Sequence, residues 1–298
     1  MARPGTVGIV GLGLVGMAIA RRLVRAGYTV HGFDRRDEAS RALREAGGIA
    51  VGSARDVACA CDSVVLAVFD TNDVLSLVEG DDAMLVPGHK VRTLLDCSTG
   101  TPDVLAALAG RLQSRGVDFI EAPLSGSSQQ IEDGQATQLL GGGQDAIARC
   151  AALLDTIATR RIHVGAAGMA ARAKLATNLV LGLNRAALAE GMAFAESQGI
   201  PREAFLQLVL ATPARSAAAE TKGPLMVSGR FEPQSRIRQH LKDVTLMLQS
   251  ARAAGQPLPL SETHAQVMRR AVEAGDGDLD NAAIVRQWRR ERGQPPKP

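Results

Sequence analysis

The sequence predicts an α/β fold in its first half, a doubly wound and mostly parallel sheet, followed by an all-helical second half. Three observations carry that reading. The chain opens on an apolar run, Thr6-Val7-Gly8-Ile9-Val10, then the turn Gly11-Leu12-Gly13-Leu14-Val15-Gly16, then an amphipathic stretch from Met17 to Ala26. Short apolar runs and helix-like segments then alternate as far as about residue 163, the grammar of βα units. From Gly168 to Gln198 no proline interrupts, and Leu175, Leu179, Leu183, Leu188, Met192 and Ala195 recur at helical spacing.

In the opening turn the spacing is G-x-G-x-x-G. Gly11 permits the tight turn, Gly13 lets backbone approach a pyrophosphate, and Gly16 lets the helix pack close on the strand. The free N–H groups of that helix then face phosphates, so Gly11, Leu12, Gly13, Leu14, Val15 and Gly16 are together assigned to a dinucleotide. A second apolar run, Tyr28-Thr29-Val30-His31-Gly32-Phe33, ends at Asp34. That is about 20 residues on, where an acid for the ribose hydroxyls is expected in a Rossmann-type fold. A helix is predicted near Asp37–Ala46, a short strand at Ile49–Val51, and a helix over Ala54–Ala60 capped by Ser53. Ser63–Val68 and Thr93–Asp96 are near-continuous apolar runs, as in strands buried on both faces. Pro102 opens a helix that ends near Arg115, before Gly116. Val117–Glu121 and Gln138–Leu140 read as strands, Gln144–Thr156 as one helix and Arg161–Val164 as the last strand.

The Rossmann-type domain is therefore read as residues 1–164 and the helical domain as residues 165–298. The long helix from Gly168, about 45 Å at about 1.5 Å per residue, would begin the second domain. Further helices are expected between breaks near Pro213, Pro224, Gly229–Pro233, Gly255–Pro259 and Gly275–Gly277, with a disordered tail at Gly293–Pro298. Among 298 residues, 46% are hydrophobic and 3% aromatic, so the core must rest on Ala, Leu, Val and Ile. A net charge of +3 gives no argument for nucleic acid or an anionic membrane. The cysteines are Cys59, Cys61, Cys97 and Cys150, without a second C-x-C pair, so neither zinc nor a disulfide framework is expected. No secretory leader and no membrane span is read, and the protein is expected in the cytoplasm.

A nicotinamide dehydrogenase needs a group that moves the hydroxyl proton and donors that hold a substrate carboxylate. Lys174 and Asn178 lie four residues apart on one face of the long helix. A lysine shielded from water, or near another cation, can exchange protons near neutrality. Read alone, the pair also suits a solvated helix face. His240, two residues before Lys242, falls on another helix face and is read as structural. His31, His89, His163 and His264 are placed in strands or loops without a role. Trp288 is read as a packing anchor and Cys97 as a small core residue.

Gly11–Gly16, Asp96-Cys97-Ser98-Thr99-Gly100-Thr101-Pro102, Ala122-Pro123-Leu124-Ser125-Gly126, Lys174-Leu175-Ala176-Thr177-Asn178 and Lys242-Asp243 follow one another in an informative order and spacing. In this the chain resembles the β-hydroxyacid dehydrogenase family, which includes 3-hydroxyisobutyrate dehydrogenase and tartronate semialdehyde reductase, over nearly its whole length. The resemblance implies an NAD(P)-dependent oxidoreductase that passes hydride between nicotinamide and a small β-hydroxy acid or its semialdehyde. It implies Lys174 as the acid/base, Ser125 and Gly126 as donors to the substrate carboxylate, and Asn178 as their partner across a cleft. Thr99, Lys242 and the loop after β-strand Ser63–Val68, with Val68 and Phe69, are implied to meet the cofactor. It also implies a homodimer or larger homo-oligomer. An imine reductase and a dinucleotide-binding interaction module without turnover are rival readings, and the lysine at position 174 argues against both.

The departures are local. Where the family reads S-G-G-x-x-G-A-x-x-G, this chain has Ser125-Gly126-Ser127-Ser128-Gln129-Gln130-Ile131-Glu132-Asp133-Gly134. Two glycines have become Ser127 and Gln130, whose side chains either reach a bound substrate or satisfy loop backbone; Ser127 is carried forward as a substrate contact. The first of two adjacent asparagines is Thr177, a proline after the fourth strand is Phe69, and an aromatic after Phe231-Glu232-Pro233 is Ser235. Cofactor choice turns on Asp34-Arg35-Arg36. The carboxylate repels a 2′-phosphate while the arginines attract one, and NAD is favoured with NADP as the alternative.

Overall fold

The computed structural model describes residues 5–292. The chain divides into two compact units, one ending at Lys174 and the other beginning at Leu175. The first unit runs β1 (Thr6–Val10), α1 (Leu14–Arg25), β2 (Thr29–Phe33), α2 (Asp37–Glu45), β3 (Ile49–Ala50), α3 (Ala54–Ala60) and β4 (Ser63–Leu66). It continues through α4 (Thr71–Glu79), β5 (Thr93–Asp96), α5 (Pro102–Ser114), β6 (Asp118–Glu121), β7 (Leu124–Ser125) and α6 (Ser128–Glu132). β8 (Thr137–Gly141), α7 (Gln144–Arg149), α8 (Ala151–Ile157) and β9 (Arg160–Gly165) follow.

Six parallel strands stand in the order β3-β2-β1-β4-β5-β6. β8 then runs antiparallel to β6 and β7 and parallel to β9. The strands are apolar on both faces because helices cover both. Val65, Leu95 and Ile120 join Ile9, Ile19 and Leu23 in one core, while their neighbours Val64, Leu66, Leu94 and Phe119 join Val57, Val74 and Leu108 in the other. Successive side chains of a strand point to opposite faces, so such strands read as continuous apolar runs. The strand order reverses between β1 and β4, and the loops leaving their carboxyl ends diverge there, the usual place for a ligand crevice in an open α/β sheet.

Several boundaries differ from the sequence reading. β4 stops at Leu66: Ala67 N still donates to Val10 O, but Val68 N turns to Ser98 Oγ at 3.1 Å. The single helix expected over Gln144–Thr156 is two, because Cys150 (φ −94°, ψ 6°) leaves helical geometry between α7 and α8. Two helices have no counterpart in the sequence reading, α4, capped by Asp70, and α6, capped by Ser127. α6, at five residues, is too short to show a 3.6-residue period, whereas α4 buries Thr71, Val74 and Val78 at helical spacing that the sequence reading did not use.

α9 (Met169–Ser197) starts in the first unit and continues as the first helix of the second. The second unit adds α10 (Arg202–Ala211), α11 (Ala217–Ser228), α12 (Ile237–Ala253), α13 (Pro259–Ala271) and α14 (Ile284–Glu291). Leu188, Met192, Val244, Met247, Met268 and Val285 are central to its core, with Trp288 packed against it. The break expected at Pro224 is absent. Pro224 sits inside α11, where its ring removes one ladder bond. The flanking Lys222 and Met226 are buried, and Lys222 Nζ is held on both oxygens of Asp280 at 2.9 Å, so tertiary contacts carry the helix past the proline. Asp280 also accepts from the backbone of Gln234, Ser235 and Ala282, which pins the segment ahead of α12. His264 lies in α13, not in a strand or loop, and its buried ring stands 5.4 Å from that of His240. Burial, with Arg185 nearby, pushes His264 down to about 4. The tail Gly293–Pro298 lies outside the described residues. Among the described residues no helix is long and apolar enough to cross a membrane.

Candidate functional site

The crevice at the carboxyl ends of β1 and β4 is shaped by two close approaches. Gly11 has φ +91°, and a Cβ there would stand 2.4 Å from Ala67 O. A Cβ on Gly16 would stand 1.9 Å from Gly11 O, so α1 can begin here only without a side chain. Gly13, the residue before α1, differs: a Cβ on it would meet no atom within 4 Å. Its bare backbone therefore faces open space at a helix N-terminus that has no acidic residue in its first turn and no side-chain cap. That arrangement fits the pyrophosphate of a dinucleotide, which would sit against the free N–H groups.

Asp34 lies directly after β2 and reaches back to this turn, its Oδ2 accepting from Leu12 N at 2.8 Å. Arg36 binds the same carboxylate with two parallel bonds, Nε to Oδ1 at 2.9 Å and Nη2 to Oδ2 at 3.0 Å. Burial alone would raise the Asp34 carboxyl, but these hydrogen bonds and the Arg36 charge hold it below the usual carboxylate value. Arg35 is exposed. The carboxylate is thus ionised, bonded to the turn, and paired with its own neighbour Arg36.

The loops after β4 and β5 are tied together. Ser98 Oγ accepts from Val68 N, and Ser98 N donates to Asp96 Oδ1 at 2.9 Å. Thr71 Oγ1 accepts from Thr101 N at 2.7 Å. These bonds set the backbone on either side of Val68, Phe69 and Thr99. The Phe69 ring is exposed where it leaves β4, and Thr99 is half-buried.

Ser125 ends β7, and Gly126 leads into α6. The departures from the glycine pattern form a capping box: Ser127 Oγ accepts from Gln130 N at 3.3 Å, and Gln130 Oε1 accepts from Ser127 N at 2.8 Å. Both side chains satisfy loop backbone here, the second of the two roles left open by the sequence. The Ser127 hydroxyl proton is not used in that box. Lys174, on the second turn of α9, is 8% exposed, and its Nζ donates to Leu124 O at 2.7 Å, immediately before Ser125 and Gly126.

In the second unit, Asn178 Nδ2 donates to Asp243 Oδ2 at 3.1 Å, and Lys242 Nζ lies 3.2 Å from Asp243 Oδ1. Asp243 orients both, a role not assigned from sequence although it stands beside Lys242. Glu121 was missed as well; its buried carboxylate accepts from the backbone at the start of α9. A lone acid at a strand end has no spacing that singles it out. Among the described residues no three His, Cys, Asp or Glu side chains converge as metal ligands.

Comparison with known proteins agrees with this geometry. Residues 6–165 match the family described as the NAD binding domain of 6-phosphogluconate dehydrogenase. Residues 168–288 match the NAD-binding domain of NADP-dependent 3-hydroxyisobutyrate dehydrogenase. L-threonate dehydrogenase of Cupriavidus necator is 31% identical, over 94% of this chain and 95% of its own. 2-Hydroxy-3-oxopropionate reductase of Escherichia coli is 29% identical over 94% and 95%. The crystal structure of 3-hydroxyisobutyrate dehydrogenase from Salmonella typhimurium superposes with a TM-score of 0.84 at 30% identity, covering 94% of this chain and 98% of that one.

The two glycines of the turn separate in a mutational test. Gly13→Ala should leave stability within about 0.5 kcal/mol of wild type, as for a substitution that meets no neighbour, while weakening dinucleotide binding at least about tenfold by blocking backbone approach. Gly16→Ala should destabilise the fold. Equal dinucleotide affinity in Gly13→Ala, measured by quenching of the single tryptophan or by calorimetry, would remove the turn from the cofactor site.

Proposed function

The chain belongs to the β-hydroxyacid dehydrogenase family and is an NAD(P)-dependent hydroxyacid dehydrogenase; from that premise we propose that Lys174 is its general acid/base and that its substrate is a small β-hydroxy acid or the matching semialdehyde. The observation that carries the reading is the Lys174 Nζ, buried and held on Leu124 O beside Ser125 and Gly126. The relatives named above act on small carboxylates that carry a hydroxyl or carbonyl, in keeping with a site of this kind. Neither an imine reductase nor a module without turnover is favoured.

In the proposed mechanism, Ser125, Gly126, Ser127 and Asn178 hold the substrate carboxylate, so that the hydroxyl-bearing carbon is fixed before reaction. Lys174 Nζ takes the hydroxyl proton in oxidation and returns it in reduction. Leu124 O keeps Nζ oriented, and Asp243 does the same for the Asn178 amide. Gly11, Leu12, Gly13, Leu14, Val15, Gly16, Asp34, Arg35, Arg36, Val68, Phe69, Thr99 and Lys242 are assigned to the dinucleotide. Bound nicotinamide supplies the two-electron acceptor or donor. The functional division of the chain is proposed between residues 164 and 165, at the end of β9 and ahead of the connection into α9.

Lys174→Ala should lower kcat at least about 10²-fold, the low end of general acid–base contributions, with dinucleotide affinity unchanged. A near-normal kcat across a panel of small hydroxy acids and semialdehydes, each run with both dinucleotides, would strike Lys174 from the mechanism.

NAD is the proposed cofactor of choice, because the Asp34 carboxylate is ionised and points into the turn. Asp34→Asn should raise the ratio of kcat/KM for NADP over NAD severalfold by freeing Arg36 and removing repulsion of a 2′-phosphate. A wild type that already prefers NADP tenfold or more (about 1.4 kcal/mol) would show that the arginines outweigh the carboxylate.

The assembly is proposed as a cytoplasmic homodimer or larger. Val180, Phe194 and Leu208 are exposed large apolar side chains on α9 and α10, with Phe194 at 65%, and cover for them by a second copy supports the reading. Four free cysteines, three of them buried, suit a reducing compartment. Light scattering on protein from the cytosolic fraction should give a multiple of 31.2 kDa. A single-chain mass at micromolar concentration, or recovery outside that fraction, would overturn the corresponding part.

A further inference from the structure

The start of α9 is gripped by one short segment of the sheet. The first turn of a helix leaves N–H groups without partners, and α9 has no acidic residue of its own there. Glu121, the last residue of β6 and 1% exposed, supplies the missing acceptor. One carboxylate oxygen accepts from Gly168 N and the other from Ala171 N at 3.2 Å. Three residues later, Leu124 O accepts from Lys174 Nζ at 2.7 Å. The four buried residues Glu121-Ala122-Pro123-Leu124 thus hold the helix by its opening amides and hold the lysine by its tip.

The fit depends on a glycine across the sheet. Gly141 faces Glu121 in the β6–β8 pairing. A Cβ on Gly141 would stand 2.6 Å from Glu121 Oε2 and 3.0 Å from Ala170 N, in the space where carboxylate and helix meet. An isolated acid in a core is costly unless hydrogen-bonded, and here the amides at a helix N-terminus do that work.

We propose that Glu121 is a positioning residue for Lys174: its carboxylate, fixed in the sheet, holds the opening turn of α9 and thereby sets where the lysine Nζ stands. The proposal rests on the reading of Lys174 as the acid/base.

The charged neighbours are few. Asp96 faces Glu121 from β5 in the parallel register. On α9, Lys174 is engaged by Leu124 O, and Arg172 pairs with Asp103. On β9, His163 Nε2 lies against the carbonyls of Gly142 and Gly165. Burial pushes Glu121 up to about 7, against the pull of the Gly168 and Ala171 amides, with the Asp96 charge adding to the rise. Protonation removes the negative charge and turns one of the two oxygens into a hydroxyl, a weaker acceptor for its N–H. The grip therefore loosens as pH falls through 7. Stability moves the other way: with the folded value above the ordinary 4.5, ionisation destabilises the fold as pH rises from about 4.5 through 7.

The test compares wild type, Glu121→Gln and Gly141→Ala, the last of which keeps the acid but displaces it. Hydrogen exchange by mass spectrometry, corrected for intrinsic rates, should show the peptide covering Gly168–Lys174 better protected at pH 8 than at pH 6 in wild type. Both variants should lose that difference. Acetylation of Lys174 by acetic anhydride, read on the same peptide, should change in both variants at pH 8. With an active substrate, kcat should fall about 10- to 10²-fold, the scale of a misplaced catalytic group, with dinucleotide KM unchanged, and the acidic limb near pH 7 should vanish in Glu121→Gln. A role in stability alone would shift the melting temperature and leave lysine labelling and the acidic limb untouched. Wild-type protection and wild-type Lys174 labelling in a folded Glu121→Gln would overturn the proposal, and if that variant does not fold, the same result in Gly141→Ala does so. If no substrate on the panel turns over, the acid/base reading fails by itself, and the exchange and labelling results still decide the grip.

Discussion

The approach of α1 to the loop before it is the constraint on which the first unit depends. With only a hydrogen on Gly16, the helix begins against Gly11 O, and Gly11 in turn lies against Ala67. The carboxyl ends of β1 and β4 are thereby drawn into one crevice floor. Leu12 N then falls within reach of Asp34, and Gly13 is left as bare backbone at the helix start. A methyl group at position 16 would open this stack by an ångström or more, and each of those later contacts is made at closer tolerance than that.

Both units hold a buried carboxylate that serves backbone amides, and the one in the helical unit also holds a cation. In the sheet it is Glu121, on the opening of α9. In the helical unit it is Asp280, which takes the Lys222 ammonium and the amides of Gln234, Ser235 and Ala282. Each acid ties a chain segment carrying a candidate functional residue to a rigid partner: the helix of Lys174 in one case, the approach to the helix of Lys242 in the other. A buried charge with several fixed donors is worth more as a geometric anchor than as a net source of stability.

Much of this was legible in the residues. The glycine turn and Asp34 mark β1, α1 and β2 because each needs a particular residue type at a fixed interval. The strands buried on both faces announce themselves as unbroken apolar runs. What escaped was either too short or too distant. α6 has five residues and is held by two side chains at its own start. Pro224 forecasts a break that Asp280 prevents from 56 positions downstream, a contact no local pattern records. Glu121 meets its partners 47 and 50 residues along the chain, and Asp243 meets Asn178 across 65. The lysine and asparagine could be named because they share a helix face; the acids that orient them could not, since only folding brings them there.

The capping box after Gly126 bears on how this enzyme can change over generations. Ser127 and Gln130 each satisfy the other's backbone, and Glu132 at the far end of α6 pairs with Arg21 and Arg25 of α1. Replacing either box residue alone leaves one amide without its side-chain acceptor, and replacing both leaves two. The two positions share one short turn, so a substitution at either is felt at the other, and the start of α6 keeps its shape only while both side chains are present.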